Sequence, residues 1–466
     1  MMALFLALFL QDPGITNGSF HDWNQGAPTG WSITVGATNS SGSQPSQLGP
    51  GKDGGISLWG SEKTGTWSAV SQDINLPPDQ FARIAYRFRT SGLKQEGNQF
   101  PNHFISVRTF DSSGHMIGAD YRTLSSKTWS SGELITSRTG NASRIELILF
   151  LSITGQLDVK EIEIQNLRRE DSFDVLARNM DLYYSYFQHK QVQWQEIVTR
   201  YRNKEAPFAD QIKPMLAELK DGHIWILPPG EKKIPVFRPP TKHNYDFHSV
   251  AKDLAEGKQV GRNSLVGKTK EGFGYIAVGS LVGPERVFKE LETEITARMD
   301  LSGFIVDLRA NGGGYEGNGS RLARYFCDKK RIYAKAKYRS GESHNSFTTP
   351  VNRTISPRDK KSFTRPVVVL IGQACVSSGE GMALMFRSFP HATLLGQPTR
   401  GASGNPQAVT LPNGTKVWFS RWIAMDAEGI PFEGKGIQPD ILIEHKGKGD
   451  PTFRSAVDFL IKQIGD

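Results

Sequence analysis

The hydrophobic pattern changes period twice along the chain, and no single layer of secondary structure accommodates all three patterns. Up to residue 166 apolar residues alternate every second position: Ile84, Tyr86 and Phe88 share one face, Arg83, Arg87 and Arg89 the other. That alternation marks strands with one buried face. Similar runs at Phe104–Phe110, Ile145–Leu151 and Val159–Ile164 are separated by turn clusters such as Asp111–Gly114, the spacing of an all-β sandwich. From Asp171 the apolar residues recur every three or four positions, at Phe173, Leu176, Met180, Tyr183, Tyr184 and Phe187, then Trp194, Ile197 and Tyr201, then Ile212, Met215, Leu216 and Leu219. Three packed helices are predicted there. From Gly274 unbroken apolar runs (Tyr275–Val278, Phe304–Val306, Pro366–Ile371) alternate with helical patterns (Glu285–Arg298, Arg321–Phe326, Gly379–Phe389). Strands buried on both faces and separated by helices predict an α/β core with largely parallel pairing.

A chain of 466 residues exceeds the ~100–200 residues of one domain, in agreement with that partition. The expected organisation is a signal segment at 1–11, a β-sandwich module at 12–168, a helical bundle at 169–222, a linker with short strands at 223–273 and an α/β core at 274–466. Charge divides the same way: residues 1–166 hold 12 Lys+Arg against 14 Asp+Glu, leaving 44 against 33 for the remainder. The basic excess includes Asp328-Lys329-Lys330-Arg331 and Lys360-Lys361, which read as solvated segments, and no nucleic-acid motif accompanies them. Two cysteines, Cys327 and Cys375, cannot build a disulfide framework, and no Cys/His spacing suits zinc. The apolar run Ala3–Leu10 is about half of a bilayer crossing and resembles the apolar part of an export signal. Export to a periplasmic or extracellular location is therefore expected, with no integral membrane segment.

Three segments carry candidate chemistry. In Val367–Met385 an apolar strand runs through a small-residue turn into a helix, so Ser377 or Ser378 sits at a helix N-terminus, where free N–H groups stabilise a developing oxyanion. The same position suits an ordinary N-cap. In Asp307-Leu-Arg-Ala-Asn-Gly-Gly-Gly314 three glycines let the backbone turn sharply and present N–H groups to a substrate. The segment has neither the Gly-Lys-Ser/Thr ending nor the G-x-G-x-x-G spacing of a nucleotide loop. Finally, Leu219-Lys-Asp-Gly-His223 ends an amphipathic helix and opens a short strand.

Together with Gly396-Gln-Pro-Thr-Arg-Gly401 and Glu433-Gly-Lys-Gly-Ile-Gln-Pro-Asp440, these motifs resemble the tail-specific (C-terminal-processing) serine peptidases, in their tricorn-core and retinoid-binding-protein-like branch, over residues 171–460. The resemblance implies a core of the tricorn-core, crotonase-like type and a nucleophile three residues before the helix-start glutamate, which selects Ser377 over Ser378. It assigns oxyanion donors to Ser378 N–H and to the glycine turn, at Gly312 or Gly313. Where the processing branch carries its lysine base, this chain has Ala402. The tricorn-like branch instead implies His223 as base and Glu433 as its orienting carboxylate, with no cofactor and no metal. Arg400, Arg421 and Lys435 are the cations nearest these motifs in sequence, suited to a substrate carboxylate. The roughly fifty residues between His223 and Gly274 are too few for the peptide-binding PDZ module usual in the family, which leaves specificity to the groove.

The opening Asn17–Phe20 and Gly26–Trp31 and the closing Leu157–Ile164 resemble jelly-roll modules found beside glycan-active enzymes. That likeness implies a glycan-binding partner surface in which Trp23, Trp59 or Trp67 stacks on sugar rings; a tryptophan in a sandwich serves equally as core. The partner expected of the whole chain is a peptide or protein substrate, cleaved through an acyl-enzyme. Two other readings stay open: a non-catalytic binder of hydrophobic ligands or peptides on the same scaffold, and acyl-ester hydrolysis by the same serine, since the tetrahedral chemistry is shared.

Overall fold

The computed structural model describes residues 14–465 except 38–46, 61–65, 77–80, 95–102, 137–141, 153, 168–170, 341–342, 359–360 and 445–448. The signal segment expected at 1–11 thus lies outside the described residues. The chain divides into two compact units, one of Met1–Val236, Tyr338–Thr349 and Pro406–Arg421, the other of Phe237–Lys337, Pro350–Asn405 and Trp422–Asp466. Among the described residues no helix is long and apolar enough to cross a membrane.

The first unit opens with two five-stranded antiparallel sheets. One runs in the order Ser130–Ile135, Phe81–Lys94, Thr154–Leu167, Ile56–Gly60, Gln47–Pro50; the other Ser32–Ala37, Thr66–Asn75, Ala142–Leu151, His103–Asp111, Met116–Thr123. Their inner faces meet in a single apolar cluster that includes Leu58, Val70, Ile84, Tyr86, Phe88, Ile105, Val107, Leu147 and Val159. The alternation read from the sequence is what builds it, because side chains two apart in a strand share a face. Helices Ser172–Tyr183, Trp194–Tyr201 and Phe208–Ala217 follow, and the chain then enters a short sheet in which Trp225–Leu227 pairs with Ile234–Pro235 and Lys416–Phe419.

The second unit is a seven-stranded sheet in the order Leu254–Val260, Ser264–Thr269, Gly274–Val278, Phe304–Asp307, Val367–Ile371, Ala392–Gly396, Ile441–Leu442. The first two pairings are antiparallel and the remainder parallel. The sheet therefore begins some twenty residues ahead of the core expected from the sequence. Both added strands lie in the segment expected as a linker with short strands; only the two end residues of Leu254–Val260 are buried, and an edge strand wet along its length carries no apolar alternation that would join it to the core. The central Gly274–Val278, Phe304–Asp307 and Val367–Ile371 are buried at every position, as parallel strands covered on both faces must be.

Where the Phe304–Asp307 strand ends, a charged group enters this core. Arg309 is wholly buried. Its Nε and Nη2 donate to Asp307 at 2.9 and 2.6 Å, and its Nη1 donates to Asp450 and to the Asn244 carbonyl, both at 2.7 Å. Asp450 also accepts from the Phe453 N–H at 2.9 Å, at the start of helix Pro451–Gly465, and Tyr275 donates to Asp307 at 3.0 Å. Asn244 reaches onward, donating from Nδ2 to the Ile371 carbonyl at 2.9 Å. A Cβ on Gly372 would lie 1.9 Å from Asn244 Oδ1. One guanidinium so joins two strand ends and the C-terminal helix. Removing one partner of a buried ion pair costs about 3–5 kcal/mol. Arg309→Met should lose about that much in a urea unfolding titration of the full chain, and a loss below ~1 kcal/mol would contradict the clamp.

Candidate active site

The Val367–Ile371 strand passes through Gly372–Val376 to Ser377, and helix Ser378–Arg387 starts at once. Ser377 holds φ 59° and ψ −127°. An ordinary N-cap residue has β-region backbone; a non-glycine residue held at positive φ costs on the order of 1–3 kcal/mol and persists only where its surroundings impose it. Capping alone does not require such a conformation. A sharp turn that projects a serine side chain from the end of a buried strand does, as in the nucleophile elbows of α/β-hydrolases.

The surroundings that impose it come from the glycine turn. Val376 N–H donates to the Asn311 carbonyl at 3.0 Å. Asn311 is fully buried, donates from Nδ2 to the Val278 carbonyl at 2.8 Å and accepts the Gly313 N–H at 2.9 Å. Gly313 has φ 83°, and a Cβ there would stand 2.8 Å from Ser377 Cβ. On Gly379 a Cβ would stand 2.7 Å from Asn311 Oδ1. Both glycines are needed for the elbow and the turn to approach this closely.

The turn's N–H groups are not equally available. Gly312 donates to the Gly279 carbonyl at 3.1 Å and Gly313 to Asn311 Oδ1, so both amides expected from the sequence as oxyanion donors are committed within the unit. Gly314 lies in a parallel bridge with Leu281, held by Leu281 N–H to Gly313 O at 2.8 Å and Tyr315 N–H to Leu281 O at 3.2 Å. Its own N–H and carbonyl therefore turn away from Leu281, and the carbonyl accepts from Ser378 Oγ at 2.7 Å. Ser378 N–H, in the first turn of the helix, has no intrahelical acceptor.

Beneath the elbow lies a carboxylate whose role the sequence reading did not assign. Glu380 is fully buried and accepts from Thr399 Oγ1 and Gly401 N–H, both at 2.6 Å, Ala402 N–H at 3.0 Å and Ser377 N–H at 3.2 Å. Burial pushes its carboxyl up to about 8; the Thr399 hydroxyl and the two N–H groups oppose the rise, and the charge of Glu433 adds to it. The signal for its position was present, since a glutamate three residues after an N-cap serine is half of a capping box. Ser377 N–H also donates to the Ala402 carbonyl at 2.8 Å, and Ser403 Oγ reaches the Ser377 carbonyl at 3.3 Å.

The 399–404 loop packs in turn on the segment carrying Glu433. Gly434 N–H donates to Gly401 O at 2.7 Å, and a Cβ on Gly436 would stand 2.1 Å from the Thr399 carbonyl. Glu433, only 4% exposed, accepts the Ser403 N–H at 3.4 Å; it is a buried carboxylate rather than a surface one. Ser377, Ser378, Gly312, Gly313 and Glu433 thus share one unit. Arg400 there is tied to the Thr241 hydroxyl. Cys375, two residues before the serine, is buried, and burial raises its thiol well above the usual value.

His223 belongs to the first unit. It follows helix Phe208–Ala217, is 8% exposed, and its N–H donates to Asp221 Oδ1 at 2.7 Å. The buried Asp221 carboxylate fixes the turn from which the ring leaves the chain, just before strand Trp225–Leu227.

Residues 272–443 match the family model described as Peptidase family S41. Carboxy-terminal processing protease CtpA of Bacillus subtilis is 26% identical over 164 residues, which are 34% of this chain and 33% of that protein. Tricorn protease of Thermoplasma volcanium is 24% identical over 212 residues, 42% of this chain and 18% of that one. The chain therefore aligns with a third or less of the length of these curated relatives. The crystal structure of a candidate peptidase from Parabacteroides merdae is 28% identical, with a TM-score of 0.56, and the match covers 64% of this chain and 98% of that one.

The raised Glu380 carboxyl has a consequence for stability. Folded, it keeps its proton up to about pH 8; unfolded, it releases it near ~4.3. Between those values the folded state binds more protons, so this group's stabilisation is complete below the lower value and is lost as pH rises through the upper one, by up to about 1.4 kcal/mol per pH unit. Glu380→Gln should flatten the pH dependence of unfolding free energy between about pH 5 and 8, whatever its effect on absolute stability. An unchanged slope would contradict this.

Proposed function

The homologues of this chain are S41 serine peptidases, and we propose that the chain itself is a serine endopeptidase of the tricorn-like branch, cleaving peptide bonds through an acyl-enzyme on Ser377. The observation that carries this reading is the backbone of Ser377, held at positive φ at a helix N-terminus with Gly313 packed against its Cβ. In the mechanism His223 takes the Ser377 Oγ proton as that oxygen attacks the scissile carbonyl carbon. It returns the proton to the departing amine as the C–N bond breaks, and a water activated in the same way then releases the acyl group. Glu433 is assigned to hold the base in its tautomer, supported by its burial and by its place before the Pro-Asp pair. We assign the oxyanion to Ser378 N–H and Gly314 N–H, the latter in place of Gly312 and Gly313, whose amides already donate elsewhere.

The N-terminal sheets form, in this reading, a jelly-roll module that binds glycan at the outer face carrying Trp59, and the apolar start directs export. Support for the first comes from Trp59, a partly exposed ring near Gly49, where a Cβ would lie 3.4 Å from its Cζ3. Trp23 instead packs against the core, and Trp67 stacks on Phe150 at 6.0 Å. Binding of the full chain to immobilised glycans should be lost in Trp59→Ala; retention in that variant, or no binding by the parent, would remove this role.

A fluorophosphonate probe read by intact mass tests the catalytic assignment. Labelling should vanish in Ser377→Ala, fall at least about 10³-fold in rate in His223→Ala, and persist in Ser378→Ala. Absence of labelling in folded parent protein would instead favour the non-catalytic binder, and turnover of esters but not peptides the ester hydrolase.

A further inference from the structure

Beside the elbow, two large apolar side chains stand in water. Among the described residues Val282 and Tyr315 are the most exposed large hydrophobics, at 71% and 68%. They come from separate segments, and the parallel bridge between Leu281 and Gly314 sets them next to each other in register. Leu281 itself is fully buried. Apolar residues scattered singly over a surface are ordinary, whereas contiguous ones mark places where something docks. Their position says what docks. A Cβ on Gly314 would stand 2.6 Å from Val282 Cγ2, and Gly314 is the residue whose carbonyl accepts Ser378 Oγ. Gly313, one residue earlier, is packed on Ser377 Cβ. The pair therefore adjoins both the nucleophile and the amide assigned to the oxyanion.

Neither side chain is exposed through looseness of its backbone. Val282 N–H donates to Ser280 Oγ at 3.0 Å, and that hydroxyl donates to the Val282 carbonyl at 3.2 Å. The Tyr315 carbonyl accepts the Asn318 N–H at 3.0 Å, and Asn318 Nδ2 donates at 3.1 Å to the Leu281 carbonyl that also takes the Tyr315 N–H. The Tyr315 ring lies across Gly317, where a Cβ would stand 2.4 Å from its Cε1. Surfaces ordered before a ligand arrives save the cost of ordering them on binding. The nearest charge in the chain is already spent: the Glu316 carboxylate pairs with Arg353 and accepts the Tyr333 hydroxyl at 2.6 Å. An apolar side chain laid on this platform gains by leaving water, and a charged one would lose its hydration for no partner.

We propose that Val282 and Tyr315 form an apolar subsite, selecting peptides with a Leu-, Ile-, Phe- or Met-like side chain at one of the two residues joined by the scissile bond. The inference rests on the peptidase reading and adds its substrate class. Specificity is thereby set from the glycine turn, by two residues that do no chemistry themselves.

Digestion of a mixed peptide pool by the full chain tests it, with the residues on either side of each cleaved bond read by mass spectrometry against a Ser377→Ala background. At one of the two positions the parent should favour Leu, Ile, Phe and Met over Lys and Arg by about 10-fold or more, relative to their abundance in the pool. Tyr315→Glu and Val282→Glu, each on an exposed side chain, should lower that preference and raise Lys and Arg at the same position only. Fluorophosphonate labelling of the parent at Ser377 separates the two claims. With labelling present, a parent indifferent to apolar residues at both positions, or an unchanged profile in both folded variants, would overturn the subsite and leave the peptidase. A parent that neither takes the label nor cleaves removes both.

Discussion

The Arg309 guanidinium holds the parts of the candidate site in common register. Through Asp307 it secures the end of the strand that leads into the glycine turn, and through Asn244 it reaches the end of the strand that leads to Ser377. Asp450 adds the C-terminal helix. Taking such a charge out of water is expensive, and the arrangement is tolerable only because the Arg309 guanidinium makes four hydrogen bonds within its own unit, to two carboxylates and the Asn244 carbonyl. A well-packed apolar residue with matched partners would often be as stable. What the ion pairs provide is position: planar donors on rigid acceptors permit little displacement of either strand end.

That fixed register is what sustains the strained backbone at Ser377. The elbow is gripped from the turn by Asn311 and Gly313, from the 399–404 loop by Ala402 and Ser403, and from below by Glu380. Each contact is modest, and together they exceed the on the order of 1–3 kcal/mol by which positive φ disfavours a serine. The strain is thus sustained by packing from the glycine turn, the 399–404 loop and Glu380, and it leaves the serine at a helix N-terminus, the kind of position at which free N–H groups favour negative charge.

Much of this was legible in the sequence, for identifiable reasons. The strand, turn and helix around Ser377 declare themselves by the switch from an apolar run to small residues to helical spacing, and the buried parallel strands by their unbroken valines and isoleucines. The motifs at 396–401 and 433–440 were recognisable one by one, and the structure packs them against each other and against the elbow. Contacts between distant residues were not legible: Arg309 and Asp450 are 141 positions apart, and no local pattern pairs them. Nor does composition reveal which glycine amides are already engaged, so Gly312 and Gly313 looked as available as Gly314.

The central claim is that Ser377 carries the acyl group during turnover. Rapid acid quench of the full chain with a peptide substrate, followed by proteolytic mapping of the modified peptide, measures this directly. The account predicts an acyl adduct on Ser377 that forms and decays at rates compatible with steady-state turnover. Peptide hydrolysis proceeding with no adduct, or with an adduct on another residue, would contradict it.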